Sequence, residues 1–548
     1  MPRLTVVSAP RRAPALLSLA LATAALSAAL SGCGSSSSHS GASSTAATNG
    51  HRIESIFEAE AQLRANPTAT LTLLRGLGVD RVRVLVPWNQ IAPAPTARQA
   101  PAGNLESPTA YLAAAWAVYD AIVRAASAQH IGLDFTLTGP PPLWAAGLGA
   151  PAGGPYPQWR PSAPDFGAFV KAVGTRYGGA YTPPGATQPL PKVDFWAVWN
   201  EPNYGPQLAP QAIDNSTVEI APMLYRRLLD AAWSALHATG HGGDTILIGE
   251  TAPRGLTFGN SPGNFSGMVP LRFLRALYCV DSSYHQLRGT AAALRGCPTT
   301  ADAGSRFKTQ NPALFEATGF ADHPYPQGFA PDVVTPAEPD YADMATLPRL
   351  EQTLDRLQQA YGSSKQFDIW NTEFGYQTDP PEKIARSVDP QTAALYLNWS
   401  EYLSWRDRRI SSYDQYLLTD PPIANALGGF ATGLEYKDGT PKATFYAFRM
   451  PVFLPVTTAA RGTALEVWGC ARPAPYARTG TGQPQRLKIQ FQPGSHGPFR
   501  VVRRLTLPAP SCYFDVHVAF PSSGVVRLAW SYPHGPTVHS RGVAVTVH

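Results

Sequence analysis

From residue 52 onward, short runs rich in β-branched and aromatic residues alternate with stretches whose apolar side chains recur at helical spacing. The runs predict strands over 52–58, 81–86, 132–138, 193–199, 245–249, 319–322, 367–371 and 411–418. Between them, Leu224, Leu228, Ala231 and Ala235, and again Leu350, Leu354, Leu357 and Tyr361, fall at i, i+4, i+7 and i+11, so each set lies on one stripe of a helix. Gly240 and Gly362 follow where left-handed C-caps belong. Strands separated by helical crossovers run parallel. Eight such units fit an α/β fold of the (β/α)8 TIM-barrel type, since a doubly wound open sheet more often uses about five to seven strands. The first run, Ile53-Glu54-Ser55-Ile56-Phe57, stands apart because it alternates as an antiparallel strand would.

After about Pro451 the helical pattern stops. Runs at 465–469, 486–491, 499–502, 513–518, 525–530 and 542–547, separated by Pro, Gly and Ser, predict a small all-β sandwich. The division is therefore a barrel over 51–451 and a sandwich over 452–548. Upstream, residues 1–33 combine Arg3, Arg11 and Arg12 with an apolar Leu/Ala run, the pattern of an export signal. Its end, Leu30-Ser31-Gly32-Cys33, resembles the bacterial lipobox. That resemblance implies lipidation of Cys33 and anchoring on the outer face of the cell membrane; a conventional cleavage near Ala28 implies secretion instead. Residues 34–50, nearly all Ser, Gly, Ala and Thr, read as a flexible tether.

The 54 Pro and 47 Gly in 548 residues mark a loop-rich globular chain. The net charge is +6, but three of those charges sit in the acid-free signal segment. What remains reads as too weak and dispersed for a polyanion partner, and no nucleic-acid binding is expected. Setting Cys33 aside leaves Cys279, Cys297, Cys470 and Cys512, an even number without a C-x-x-C spacing. The simplest pairing is local, Cys279 with Cys297 and Cys470 with Cys512, in an oxidising compartment; four unpaired buried thiols are the alternative.

Barrel active sites lie at the C-terminal ends of the strands. The fourth predicted strand ends in Trp199-Asn200-Glu201-Pro202-Asn203 and the seventh in Trp370-Asn371-Thr372-Glu373-Phe374-Gly375. Apolar strands bury Asn and Glu at a cost unless these face the open mouth and find partners there. Glutamates at the ends of strands four and seven, the first within Asn-Glu-Pro, resemble clan A of the retaining glycoside hydrolases, which contains cellulases, β-xylosidases and β-galactosidases. The resemblance extends to Arg83-Val84-Leu85-Val86-Pro87-Trp88, to Trp144 after strand three and to His323-Pro324-Tyr325 after strand six, and covers most of residues 52–451.

The resemblance implies an enzyme that cleaves a β-linked oligo- or polysaccharide by double displacement; it is expected to work as a monomer, without cofactor or metal. Glu201 takes the place of the acid/base and Glu373 that of the nucleophile. Two carboxyls at the retaining separation, about 5–5.5 Å, also imply a raised pKa for Glu201, because a negative Glu373 disfavours a second charge nearby. Asn200 would bond the sugar 2-hydroxyl, Arg83 and Tyr325 would hold Glu373 ionised, and His323 would touch substrate or Glu201. Trp88, Trp144 and Tyr204 would offer flat faces for stacking. Arg83 pairing with a structural acid is the plainer reading of that residue.

The sequence also departs from the clan. Many members end strand eight in a tryptophan, and here Ser411-Ser412-Tyr413-Asp414-Gln415-Tyr416 has none, leaving Tyr413 or Gln415 for that place. Glu250, after strand five, is an extra acid with a sugar hydroxyl or Arg254 as its candidate partner. The departures keep a second function open, a lipid-anchored carbohydrate-binding protein on a catalytically altered barrel. A G-x-S-x-G match at 259–263 has no strand leading into it, and His237 with His241, four apart, straddle the helix-ending Gly240, so neither carries chemistry.

Overall fold

Eight parallel strands form a single sheet: β1 (Glu54–Glu58), β2 (Arg81–Pro87), β3 (Gly132–Thr138), β4 (Phe195–Val198), β5 (Thr245–Thr251), β6 (Gly319–Asp322), β7 (Asp368–Asn371) and β8 (Ser412–Tyr416). They come from a computed structural model that describes residues 51–256, 263–300, 302–334, 338–423 and 429–548. Cys33, the signal and the tether lie outside the described residues, as does most of the G-x-S-x-G match. The described residues fall in one compact unit. The strand order runs β7-β6-β5-β4-β3-β2-β1-β8. The seam between β7 and β8 is joined where the Ile369 amide donates to the Arg409 carbonyl at 2.7 Å and the Ser411 amide to the Ile369 carbonyl at 2.8 Å. The result is a nearly closed (β/α)8 barrel.

β1 is parallel to both neighbours, with Ile56 opposite Arg81 on one side and Asp414 on the other. Its alternation therefore reflects a polar barrel interior and not an antiparallel strand. Glu54 accepts from Arg81 Nε at 2.8 Å, and the Arg81 guanidinium lies 4.0 Å from the centroid of the Phe195 ring. Above this layer Phe195, Ala197, Leu247, Ala321 and Trp370 form a small apolar plug. Gly319 makes room for it: a Cβ there would stand 2.6 Å from the Trp370 ring.

The outer helices bury most of the expected stripes, with Ala231 half-buried and Tyr361 past its helix end. Helix Ala221–Ala238 buries Leu224, Leu228 and Ala235, and helix Leu347–Gln359 buries Leu350, Leu354 and Leu357. Just past their ends, Gly240 and Gly362 adopt φ of +87° and +67°, where a side chain would be strained.

The C-terminal region is two β-sheets. One orders Thr458–Ala459, Val543–Val547, Gly524–Ser531, Arg486–Pro493 and Arg500–Thr506, with Thr537–His539 beside Gly524–Ser531. The other holds Tyr513–Ala519, Ala464–Cys470 and Val452–Phe453. Leu487, Ile489, Phe491, Val526 and Leu528 meet Val467, Phe514 and Val516 in the core between them. A helix, Ala474–Thr481, interrupts the β pattern. Both local disulfides are formed, Cys279–Cys297 and Cys470–Cys512, as suits an exported protein.

Helix Pro390–Arg406 joins the two regions. Its buried Glu401 accepts from Arg472 Nη2 and from the Tyr513 hydroxyl, both at 2.7 Å, and its Asn398 accepts from Arg541 Nε at 2.9 Å. Trp468 stacks on Tyr513 beside them, with Trp405 packed at a tilt against both. Tyr476 donates to the Val79 carbonyl and Tyr532 to the Gly76 carbonyl, in the segment that enters β2. The β-sheets thus reach the barrel at the end opposite the mouth.

Candidate active site

β2 places Arg83 inside the barrel with its guanidinium fully buried, and the site is built around it. Nη1 donates to Glu58 Oε1 and to Glu373 Oε2, each at 2.9 Å. Nη2 donates to Asn200 Oδ1 at 2.7 Å and to Glu250 Oε2, and Nε to Thr136 Oγ1 at 3.1 Å. One cation therefore ties the ends of β1, β3, β4, β5 and β7 together. Both readings of Arg83 hold, since it pairs with structural acids and also clamps Glu373.

Glu373 receives a second bond from the Tyr325 hydroxyl, 3.0 Å from Oε1. Each Glu373 oxygen thus accepts from one donor, with the guanidinium alongside. Glu201 is held differently. Its backbone φ is +46°, as Glu250 is at +48° and Trp199 at +68°, conformations that cost a non-glycine residue roughly 1–3 kcal/mol each. The strain gathers where β4 and β5 enter the mouth, and the Glu201 amide spans the two ends by donating to the Glu250 carbonyl at 2.9 Å. Asn203 fixes the same turn, its side chain bonded to the Ala252 amide and carbonyl and to the Met268 carbonyl.

Burial pushes the Glu201 carboxyl up to about 7, with Arg83 pulling in the opposite direction. The direction matches the sequence expectation, but the cause is loss of water and not the charge on Glu373. His323, fully buried, sets Nδ1 3.2 Å from Glu201 Oε1 and 3.5 Å from Glu373 Oε2. Burial pushes its pKa down, which favours a neutral ring between two carboxyls. One ligand-type atom from each of Glu201, His323 and Glu373 lies within 4.8 Å of the others, the one such group of His, Cys, Asp and Glu among the described residues. A divalent cation there would face the Arg83 guanidinium only 2.9 Å from Glu373, so the donor set suits proton chemistry better than metal binding.

Several expected residues stand elsewhere. Trp88 offers no face to a ligand: it is fully buried against Phe166, Phe169 and Trp144, because the short helix Trp88–Ile91 turns it between barrel and outer helices. Trp144 is half-buried and donates from Nε1 to the Pro93 carbonyl at 3.1 Å. Tyr204 is 42% exposed on the loop after β4. Tyr413 and Gln415 do not replace the strand-eight tryptophan. The Tyr413 ring is buried, with its hydroxyl on the Leu397 carbonyl, and Gln415 bonds three backbone carbonyls. Glu250 pairs with Arg83 and not Arg254, which binds Asp343 at 2.9 Å.

Sequence reasoning missed Tyr416 and Phe430. Tyr416 stands edge-on to Tyr325, ring centroids 6.5 Å apart, and Phe430 joins both at 5.2 and 5.6 Å, forming an aromatic wall beside Glu373. The signal was period two: Asp414 faces the barrel interior, so Tyr416 does also. Glu58, whose pKa burial raises well above the ordinary range, was legible by the same rule from Glu54.

No protein-family model and no curated protein matches the chain. Among solved structures it is similar to a family 39 glycoside hydrolase from Bacteroides cellulosilyticus WH2, with 14% identity, a TM-score of 0.44, and coverage of 86% of this chain and 79% of that one. It is also similar to a glucosidase from Croceicoccus marinus, at 12% identity and a TM-score of 0.44 over 86% of this chain and 91% of that one. A third is the endo-β-1,4-mannanase from Thermotoga petrophila, at 10% identity and a TM-score of 0.38 over 92% of this chain and 99% of that one.

Proposed function

We propose that the chain is a retaining glycoside hydrolase acting on a β-linked glycan outside the cytoplasm, anchored through Cys33, with Glu201 as acid/base and Glu373 as nucleophile. The observation that carries this reading is the approach of the two carboxyls, oxygen atoms within 4.8 Å at the ends of β4 and β7. Retention uses a separation of about 5–5.5 Å, whereas inversion needs about 6.5–9.5 Å to admit a water. The unequal surroundings support this division of roles. Glu201, lifted to about 7, holds a proton at neutral pH and gives it to the leaving glycosidic oxygen. That bond breaks as a Glu373 oxygen attacks the anomeric carbon, forming a glycosyl ester. Glu201, now a carboxylate, takes a proton from water, whose oxygen displaces Glu373 and restores both groups.

Arg83 and Tyr325 bond the two nucleophile oxygens and orient them before attack and again on departure. Asn200, its Oδ1 engaged by Arg83, turns its amide nitrogen to the 2-hydroxyl of the bound sugar. His323 spaces the two carboxyls. A barrel that only binds sugar requires none of these pairings. Glu373→Ala is expected to abolish hydrolysis of aryl β-glycosides, with azide restoring turnover by attacking from the vacated side to give the opposite anomer. Undiminished hydrolysis by that variant overturns the assignment. Oligosaccharide binding by the wild-type chain without turnover on any aryl glycoside favours the binding-protein reading.

A further inference from the structure

The net charge of +6 is not dispersed. Residues 451–548 hold ten Lys and Arg against two acids, Glu466 and Asp515, so the excess belongs to the C-terminal sheets and the rest of the chain is net negative. On the larger sheet Leu487, Ile489, Leu505, Val526 and Leu528 point into the core, which puts Arg486, Lys488, Gln490, Arg504 and Arg527 on the opposite face. Lys488 lies directly across from Arg504, and Gln490 across from Arg527. Like charges directly opposite destabilise a sheet. Neither Lys488 nor Arg504 has an acidic partner among the described residues. Arg527 is held by Gln490 Oε1 at 2.8 Å and by the Phe499 ring, whose centroid lies 3.7 Å away, again without an acid. On the adjoining strand the His539 imidazole is pushed down by burial and then by Arg527 and Arg449, which marks the face as locally positive.

We propose that this face binds an anionic, carboxylate-bearing polysaccharide, at a site separate from the barrel mouth. The pleat spaces charges about 7 Å apart along a strand and about 5 Å across strands, a repeat suited to a linear polymer with regularly placed acids. Gln490, its Oε1 taken by Arg527, keeps its amide nitrogen as a neutral donor for a hydroxyl. A lipid surface fits less well, because the exposed large apolar side chains of this region are only Val456, Val501 and Val502, with no aromatic ring or leucine to enter an acyl layer. Since these sheets meet the barrel at the end away from the mouth, the polymer is held away from the active site and not in it.

Polygalacturonate added to the chain, with binding followed by calorimetry, tests this. Binding is expected at low salt and is expected to weaken steeply as ionic strength rises. Lys488→Glu turns a repulsive cross-strand pair into an attractive one with Arg504, so the variant should melt no lower than the wild type while its affinity falls at least tenfold. Arg504→Gln should weaken binding severalfold, and Lys488→Arg should preserve it. Undetectable binding at low salt, equal binding of neutral dextran, undiminished affinity in Lys488→Glu, or binding confined to phosphatidylglycerol vesicles each overturns the proposal.

Discussion

At Glu201 the same burial that suits an acid catalyst works against the fold. Its carboxyl titrates at about 7 in the folded chain against an ordinary value of 4.5, so the native state binds a proton the unfolded chain has released. A raised carboxyl pKa leaves the fold unpenalised below the unfolded value and destabilises it progressively as pH climbs to the folded one, here by on the order of 3 kcal/mol. Glu201→Gln is therefore expected to raise the melting temperature at pH 8 and to leave it nearly unchanged at pH 4, as scanning calorimetry would read. In the same variant the alkaline limb of kcat/KM, set near pH 7 by loss of the Glu201 proton, should disappear. The pairing of Glu201 with Glu373, and the direction of the pKa though not its cause, were legible from the strand ends together with the resemblance they carry. The engagement of Arg83 with Glu58 and Glu250 was not, because those contacts cross the barrel interior and exist only once distant strands have closed.

At the scale of elements, the strands were legible because their apolar runs and intervening helical stripes obey different periods, and the eight observed strands all fall within or beside the expected runs. Polarity misled at β1, where alternation signalled a barrel lumen lined by Glu54 and Glu58. Helix Ala474–Thr481 was hidden by prolines at its start and glycines at its end, which read as turn. β8 misled in another way: Tyr413 drew attention as an aromatic, yet the pleat turns it outward and Tyr416 inward. If Tyr416 forms the aromatic wall of the central subsite, Tyr416→Ala should raise KM for aryl glycosides by roughly 2- to 10-fold, the equivalent of about 0.5–1.5 kcal/mol of ring contact. Steady-state kinetics would read this, and an unchanged KM would remove Tyr416 from the site.

For the whole molecule, the β-sheets are clamped to the barrel by a buried charge and not by apolar contact alone. Removing one partner of such a pair strands the other, typically at about 3–5 kcal/mol. Glu401→Ala, which leaves Arg472 buried without its carboxylate, should therefore lower the melting temperature and separate unfolding into two calorimetric transitions. The arrangement leaves the mouth to Glu201, Glu373 and the groups that hold them, and the stereochemistry of cleavage turns on that pair. Proton NMR of the first sugar released from a β-glycoside, recorded before mutarotation, tests it most directly. A closely spaced carboxyl pair predicts the β anomer, formed with retention through a Glu373 ester; initial release of the α anomer would contradict it.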